Sequence, residues 1–137
     1  MTLIRITPNI EKAKSIMKMS KSTLVMIKDI DRNRFPSNII KEYYDVIREL
    51  VGVIMLLDGY KIIGESAHKD AFEYLKKNYS KHFKMQQLMF MDSLRVLRND
   101  ISYDGFFIET NYLDRTEKEI ATIITILDKL VSERIKE

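Results

Sequence analysis

Residues 37–59 read SNIIKEYYDVIRELVGVIMLLDG, and the fold follows from this stretch. Ile40, Tyr43, Tyr44, Ile47, Leu50, Val51, Ile54 and Leu57 recur at steps of three and four residues, the period of one helix face. The apolar stripe covers about five turns. Ser37 is placed to cap the helix and Asp58-Gly59 to end it. Gly52 lies inside the stripe, where a missing side chain would let another helix approach.

The same period extends to both sides. Thr7 as a cap and Pro8 at the first helical position open a helix with Ile10, Ala13, Met17, Leu24 and Ile27 on one face, bent or broken over Ser20–Thr23. Gly64-Glu65-Ser66 is the next break. A shorter helix over Ser66–Asn78 turns Ala67, Ala71, Phe72 and Leu75 inward. Ser80 caps a helix running to about Asn99, with Phe83, Leu88, Phe90, Met91, Leu94 and Leu97. Asp104-Gly105 makes a turn, and Phe106-Phe107-Ile108 is a strand-like run too short to seed a sheet. Asn111 caps the last helix, which places Leu113, Ile120, Ile124, Leu127 and Val131 on one face. The predicted fold is all-α: an up-down bundle of four long helices and one shorter helix. It forms one domain over residues 1–137, in which 1–35 are an N-terminal helix and loop. Ile123 and Ile126 widen the face of the last helix beyond what one small bundle needs, which favours a homodimer. The eight Met residues read as gap-filling core.

Composition excludes several chemistries. With 137 residues and four Gly, no Gly-rich phosphate loop can be written. The absence of Cys removes disulfides, thiolate nucleophiles and Cys-ligated zinc. No uncharged run is longer than Leu50–Leu57, which is far short of the roughly 20 apolar residues that cross a bilayer. No secretory signal is visible, so the expectation is a cytoplasmic protein with no membrane partner. The net charge of +3 hides a gradient. Residues 1–34 carry eight basic and three acidic side chains, residues 76–98 six and one, and residues 99–137 five and nine. That is too little overall for bulk coating of nucleic acid, but enough to concentrate phosphate locally.

Candidate chemistry gathers in Leu94–Gly105, LRVLRNDISYDG. At about 100° per residue, Arg98 shares a face with Met91 and Leu94, an unusual place for a guanidinium. Asp92, Arg95, Asn99 and Ser102 form a polar stripe beside it. Two guanidiniums, an amide, a hydroxyl and the Tyr103 phenol could therefore clamp a phosphate. The bland alternative is an Arg near a helix end and an ordinary Asp92–Arg95 pair. Neither His68 nor His82 sits in an HExxH motif, and no metal or cofactor is expected. Ser66, His68 and Asp70 have triad residue types, but they are too close along one helical turn to converge.

Arg98-Asn99, with Tyr103 five residues after the Arg, resembles the signature of the HEPN domains, small helical bundles of bacteria and archaea. That signature is an Arg followed, after four to six variable residues, by a His. Glu42-Tyr43-Tyr44 is similar to the aromatic-rich first core helix of the family. Gly59 and Lys61, followed by Ser66-Ala67-His68-Lys69, resemble its inter-helix segment, and Tyr103-Asp104-Gly105 an aromatic-Gly turn. The resemblance spans about residues 36–135. It implies metal-independent RNA cleavage at a cleft between two copies of the chain. Arg98 would neutralise phosphate, and Arg95, Asn99 and Ser102 would help bind RNA or a nucleotide. It also implies pairing, in some members, with a minimal nucleotidyltransferase antitoxin. The chain departs at the decisive position, because Tyr103 stands where the family has its proton-transferring His. A phenol ionises near pH 10 and is a poor base at neutral pH. The expectation is phosphate binding through Arg98, Asn99 and Tyr103 with weak or no cleavage. A structural bundle and an active ribonuclease are the alternatives.

Overall fold

The periodic stretch is helix α2 (Pro36–Asp58) in a computed structural model that describes residues 2–136. Pro36 occupies the first turn, where its missing N–H costs nothing. Gly59 ends the helix in the left-handed region at φ 84°, donating its N–H to Leu56 O at 3.1 Å. Fourteen α2 residues are buried, and Tyr44, Ile47, Val51 and Val53 are sealed from solvent. This helix is the axis on which the others pack.

Helices α1 (Ile10–Asp29) and α5 (Thr110–Ile135) cover most of α2, with α4 (Met85–Asp104) and the shorter α3 (Ala67–Tyr79) on its remaining sides. Ala13, Met17 and Ile27 of α1 face this core, as do Leu113, Ile120, Ile124, Leu127 and Val131 of α5. The architecture is the expected all-α bundle of four long helices and one shorter one. No helix among the described residues is long and apolar enough to cross a membrane.

One element was not expected. Strand β1 (Thr2–Arg5) pairs antiparallel with β2 (Tyr60–Ile63), in a register that runs from Thr2 opposite Ile63 to Arg5 opposite Tyr60. Ile6 N–H continues the ladder to Gly59 O at 2.9 Å. A Cβ on Gly59 would lie 3.2 Å from Ile6 O, so the turn needs Gly for close approach as well as for its φ.

Several local expectations are corrected. Asn9, not Thr7, caps α1: its Oδ1 accepts the Lys12 N–H at 3.0 Å. Helix α1 runs unbroken through Ser20–Thr23, because Ser20 is buried and donates to Glu49 Oε2 at 3.3 Å. Ser37 lies inside α2 rather than at its cap, and its hydroxyl accepts the Ile108 N–H at 2.8 Å. That bond pins the Phe106–Ile108 segment, which is not a strand. Ser80 opens a single 3-10 turn (Ser80–His82), and α4 begins at Met85, with Gln87 Oε1 accepting the Lys84 N–H at 2.9 Å. Helix α4 continues past Asn99-Asp100 to Asp104 and ends at Gly105, φ 65°. Glu109, not Asn111, precedes α5.

Three packing expectations also change. No helix approaches Gly52, and a Cβ there would meet nothing within 4 Å. Ile123 is fully buried and Ile126 packs against the core, so the surplus apolar face invoked for a homodimer is consumed within the chain. Of the methionines, Met17, Met55 and Met91 are buried, whereas Met19, Met26, Met85 and Met89 are exposed; Met1 lies outside the described residues.

Candidate functional site

The extra turn of α4 decides where its polar residues stand. Met91 and Leu94 are buried and fix the rotation of the helix. Arg95, Arg98 and Asn99 are thereby turned toward the start of α3 and the outer side of α2, and Tyr103 stands on the rim, 77% exposed. The Arg98 side chain is only 22% exposed. Its Nε lies 4.0 Å from Asp45 Oδ1 on α2, and Arg48 Nε lies 3.9 Å from the same oxygen. At such separations no hydrogen bond is made. Asp45 Oδ1, Arg48 Nε and Arg98 Nε are all buried without a hydrogen-bond partner. Leaving such a group unsatisfied costs about 1–3 kcal/mol, and these three sit together.

Arg95 is differently placed. Its Nε donates to Asp92 Oδ1 at 2.9 Å, the pair expected one turn apart on a helix. The Arg98 guanidinium carbon lies 6.0 Å from the centre of the Tyr103 ring, within cation–π range.

Between these side chains and the Gly64–Lys69 segment lies a hollow of about 480 Å³. Arg95, Arg98, Asn99 and Tyr103 line it from α4, and His68 and Lys69 line it from the first turn of α3. Ser102 is exposed and does not join them, although it shares the helix face of Arg95 and Asn99. The Ser66 hydroxyl donates to Asp70 Oδ2 at 2.8 Å instead of capping α3. The positive end of the α3 dipole is thus presented to the hollow. Glu65 of the same segment also lines the hollow.

His68, which the sequence reading set aside because it lies on another element, lines the hollow, and Arg48, which it did not consider, adjoins Arg98 through Asp45. His68 Nδ1 lies 3.5 Å from Tyr44 Oη, at the outer limit of a hydrogen bond. The His68 pKa is held below its ordinary value of 6.5, first by burial and then by Arg48 and Arg98. Burial pushes the Tyr44 phenol up to about 12 against the opposing pull of Arg48, Arg95 and Arg98. His68 is therefore neutral at pH 7 and Tyr44 is protonated. The signal for this placement was Tyr44, Asp45 and Arg48 within one turn of the most apolar helix, charged groups beside a buried stripe.

The arrangement suits an anion. One carboxylate, Asp45, makes long ion pairs with two guanidiniums but no hydrogen bond to either, and Arg forks hold phosphate or carboxylate oxygens in pairs. Two other arginines are spent on internal partners. Asp58, the last residue of α2, accepts from Tyr74 and Tyr79 at 2.7 Å and from Arg134 at 2.7 Å, while Arg134 also donates to Leu57 O at 3.1 Å. Arg32 spans Asp114 at 2.6 Å and Glu117 at 3.1 Å, and Tyr43 donates to Glu117 at 2.8 Å. Among the described residues, no group of three or more His, Asp or Glu side chains is placed to hold a metal ion. No protein-family model matches the chain, and neither a curated protein nor a solved structure does.

Proposed function

We propose that the hollow between α4 and the start of α3 binds a phosphate group of RNA or of a nucleotide. Arg98 is the principal donor, and Arg95, Asn99 and Tyr103 stand around the group. The observation that carries this reading is the pair of buried guanidinium nitrogens held 3.9 and 4.0 Å from Asp45 with no hydrogen-bond partner. A phosphate in the hollow would meet the outer part of the Arg98 guanidinium, which lines it and which no hydrogen-bonded carboxylate neutralises. The resemblance to HEPN domains agrees with this reading. By that resemblance the chain works as a cytoplasmic homodimer, with a nucleotidyltransferase-like protein as a further partner. Sedimentation of the free chain reports the dimer.

Titration of a short single-stranded RNA and of inorganic phosphate into the wild-type chain and Arg98→Ala tests the site. The substitution should weaken binding by about 1.5–3 kcal/mol, the scale of a hydrogen bond to a charged group. Equal affinities would leave a structural bundle without a phosphate site.

A second reading is favoured by His68. A neutral imidazole beside the two guanidiniums could take the proton of a ribose 2′-hydroxyl as that oxygen attacks the adjacent phosphorus. The O2′–P bond forms, the P–O5′ bond breaks, and the departing 5′-oxygen takes up a proton, leaving a 2′,3′-cyclic phosphate. His68 would then supply what Tyr103 does not. Cyclic-phosphate ends released by the wild type but not by His68→Ala support cleavage; RNA left intact by both restricts the chain to binding.

A further inference from the structure

A second and larger hollow, of about 550 Å³, lies between α1, α2, β2 and the start of α3. It is separate from the anion site: Ala67 and His68 line both spaces, as a common wall. Ile16 of α1, Met55 and Leu56 of α2 and Ala71 of α3 give it an apolar surface. Gly52 lines it from the middle of α2. Every other α2 residue from Ile39 to Asp58 is buried or half-buried, and Gly52 is exposed. A Gly inside a helix destabilises it relative to Ala. Packing within the chain does not require one here, since a Cβ on Gly52 would meet nothing within 4 Å. What the missing side chain does is keep the hollow open.

Two side chains of opposite charge flank that opening. Arg48 and Glu49 point about 100° apart around α2, and Gly52, one turn further on, falls between their directions. Both line the hollow and both are half-buried. Neither has a hydrogen-bonded partner of opposite charge. Arg48 has the long 3.9 Å pair with Asp45, and its Nε is without a hydrogen-bond partner. Glu49 Oε2 accepts the Ser20 hydroxyl at 3.3 Å, and no cation pairs with this carboxylate among the described residues. Lys12 and Lys61 also line the hollow, but both are exposed, and water and salt screen their charge.

We infer that this hollow binds an α-amino acid with a large apolar side chain. Its carboxylate lies on Arg48, its ammonium on Glu49, its α-carbon over Gly52, and its side chain along Ile16, Met55 and Leu56. A guanidinium fork suits a carboxylate, and an ammonium donates charge-assisted hydrogen bonds to a carboxylate oxygen that Ser20 leaves open. Simpler ligands fit less well. An apolar acid would bring its charge beside Glu49, and an apolar amine would bring its charge beside Arg48, each a repulsion between like charges. A zwitterion meets both side chains with the opposite sign. The Met55 thioether is a favourable neighbour for an aromatic as well as an aliphatic side chain. The hollow lies within the few hundred to about 1,000 Å³ of small-molecule sites.

Calorimetric titration of leucine and phenylalanine into the full chain tests the assignment. Glycine lacks the side chain. Isocaproate and hydrocinnamate lack the ammonium, and isoamylamine and phenethylamine lack the carboxylate. At least one of the two amino acids should bind about tenfold or more tighter than glycine and than its own two analogues. Glu49→Gln should erase the margin over the acid analogue, because the acid no longer meets a like charge and the ammonium no longer meets an opposite one. Gly52→Leu should abolish binding. Gly52→Ala should retain it and melt at a higher temperature, which separates a filled hollow from a damaged fold. If Gly52→Leu does not fold, the Glu49→Gln comparison decides. Amino acids no tighter than glycine, or binding that survives a folded Gly52→Leu, would overturn the site. An acid or an amine as tight as its parent amino acid, or a margin over the acid that survives Glu49→Gln, would overturn the recognition of a zwitterion.

Discussion

Asp45 and Asp58 both project from α2, and both face guanidiniums, yet their surroundings are opposite. Asp58 receives two phenols and Arg134 within 2.8 Å, and the same guanidinium reaches the backbone of Leu57. Helices α2, α3 and α5 are clasped there, and the strength of the clasp lies in its completeness. Asp45 has Arg48 and Arg98 at 3.9 and 4.0 Å, beyond hydrogen-bonding distance, with the facing nitrogens buried and without a hydrogen-bond partner. The first carboxylate holds the protein together. The second makes only long ion pairs with two cations, and it is on this difference that the proposed anion site rests.

The contrast can be broken most forcefully at Asp58. Asp58→Ala strands two phenols and a guanidinium, and should cost about 3 kcal/mol, lowering the melting temperature by about 10 °C. Phosphate affinity should not move. An unchanged melting curve would show that the cluster is no clasp. At the other carboxylate the effect should fall on binding instead. Asp45→Asn keeps the shape but removes a negative charge beside the incoming anion. Phosphate should then bind about three- to tenfold tighter, roughly 1 kcal/mol. Weaker binding would mean that Asp45 orients the arginines rather than competing with the ligand.

The smallest effect is a pH dependence. The His68 pKa lies below 6.5 in the folded chain, first because of burial and then because of Arg48 and Arg98. The unfolded chain therefore takes up this proton first as pH falls. The contribution of neutral His68 is complete above pH 6.5 and declines as pH drops through 6.5 toward the lower folded value. Urea unfolding at pH 7.5 and 5.5 should show a smaller loss for His68→Gln than for the wild type. The difference should stay below about 1 kcal/mol, because water screens a ring this exposed. Identical losses would place the imidazole outside the influence of the guanidiniums.

Much of this was legible in the chain itself. The α2 stripe identifies a central helix because burial on nearly all sides leaves few polar positions to blur its period. Arg98 on an apolar face marks the site for the same reason. What was missed depends on partners far away in sequence. Asn99-Asp100 has the chemistry of a helix stop, but α4 runs on for a further turn under the packing of its own inner face. Ser37 resembles a cap, but a backbone N–H 71 residues away claims its hydroxyl. His68 reaches Arg98 only because α3 and α4 pack side by side, and neither segment carries a sign of the other. The strands were invisible because four-residue segments have no period long enough to read.

The pairing of β1 with β2 has a consequence for the order of assembly. Residues 2–5 must find residues 60–63 across the whole of α1 and α2. Closing so long a loop is entropically costly until the two helices have docked and brought the ends together. The ribbon is then a latecomer in folding and, with every β1 side chain open to water, the earliest part to fray. Its amides should exchange with deuterated solvent long before those of α2, so that the seam where the chain closes on itself is also where it first comes undone.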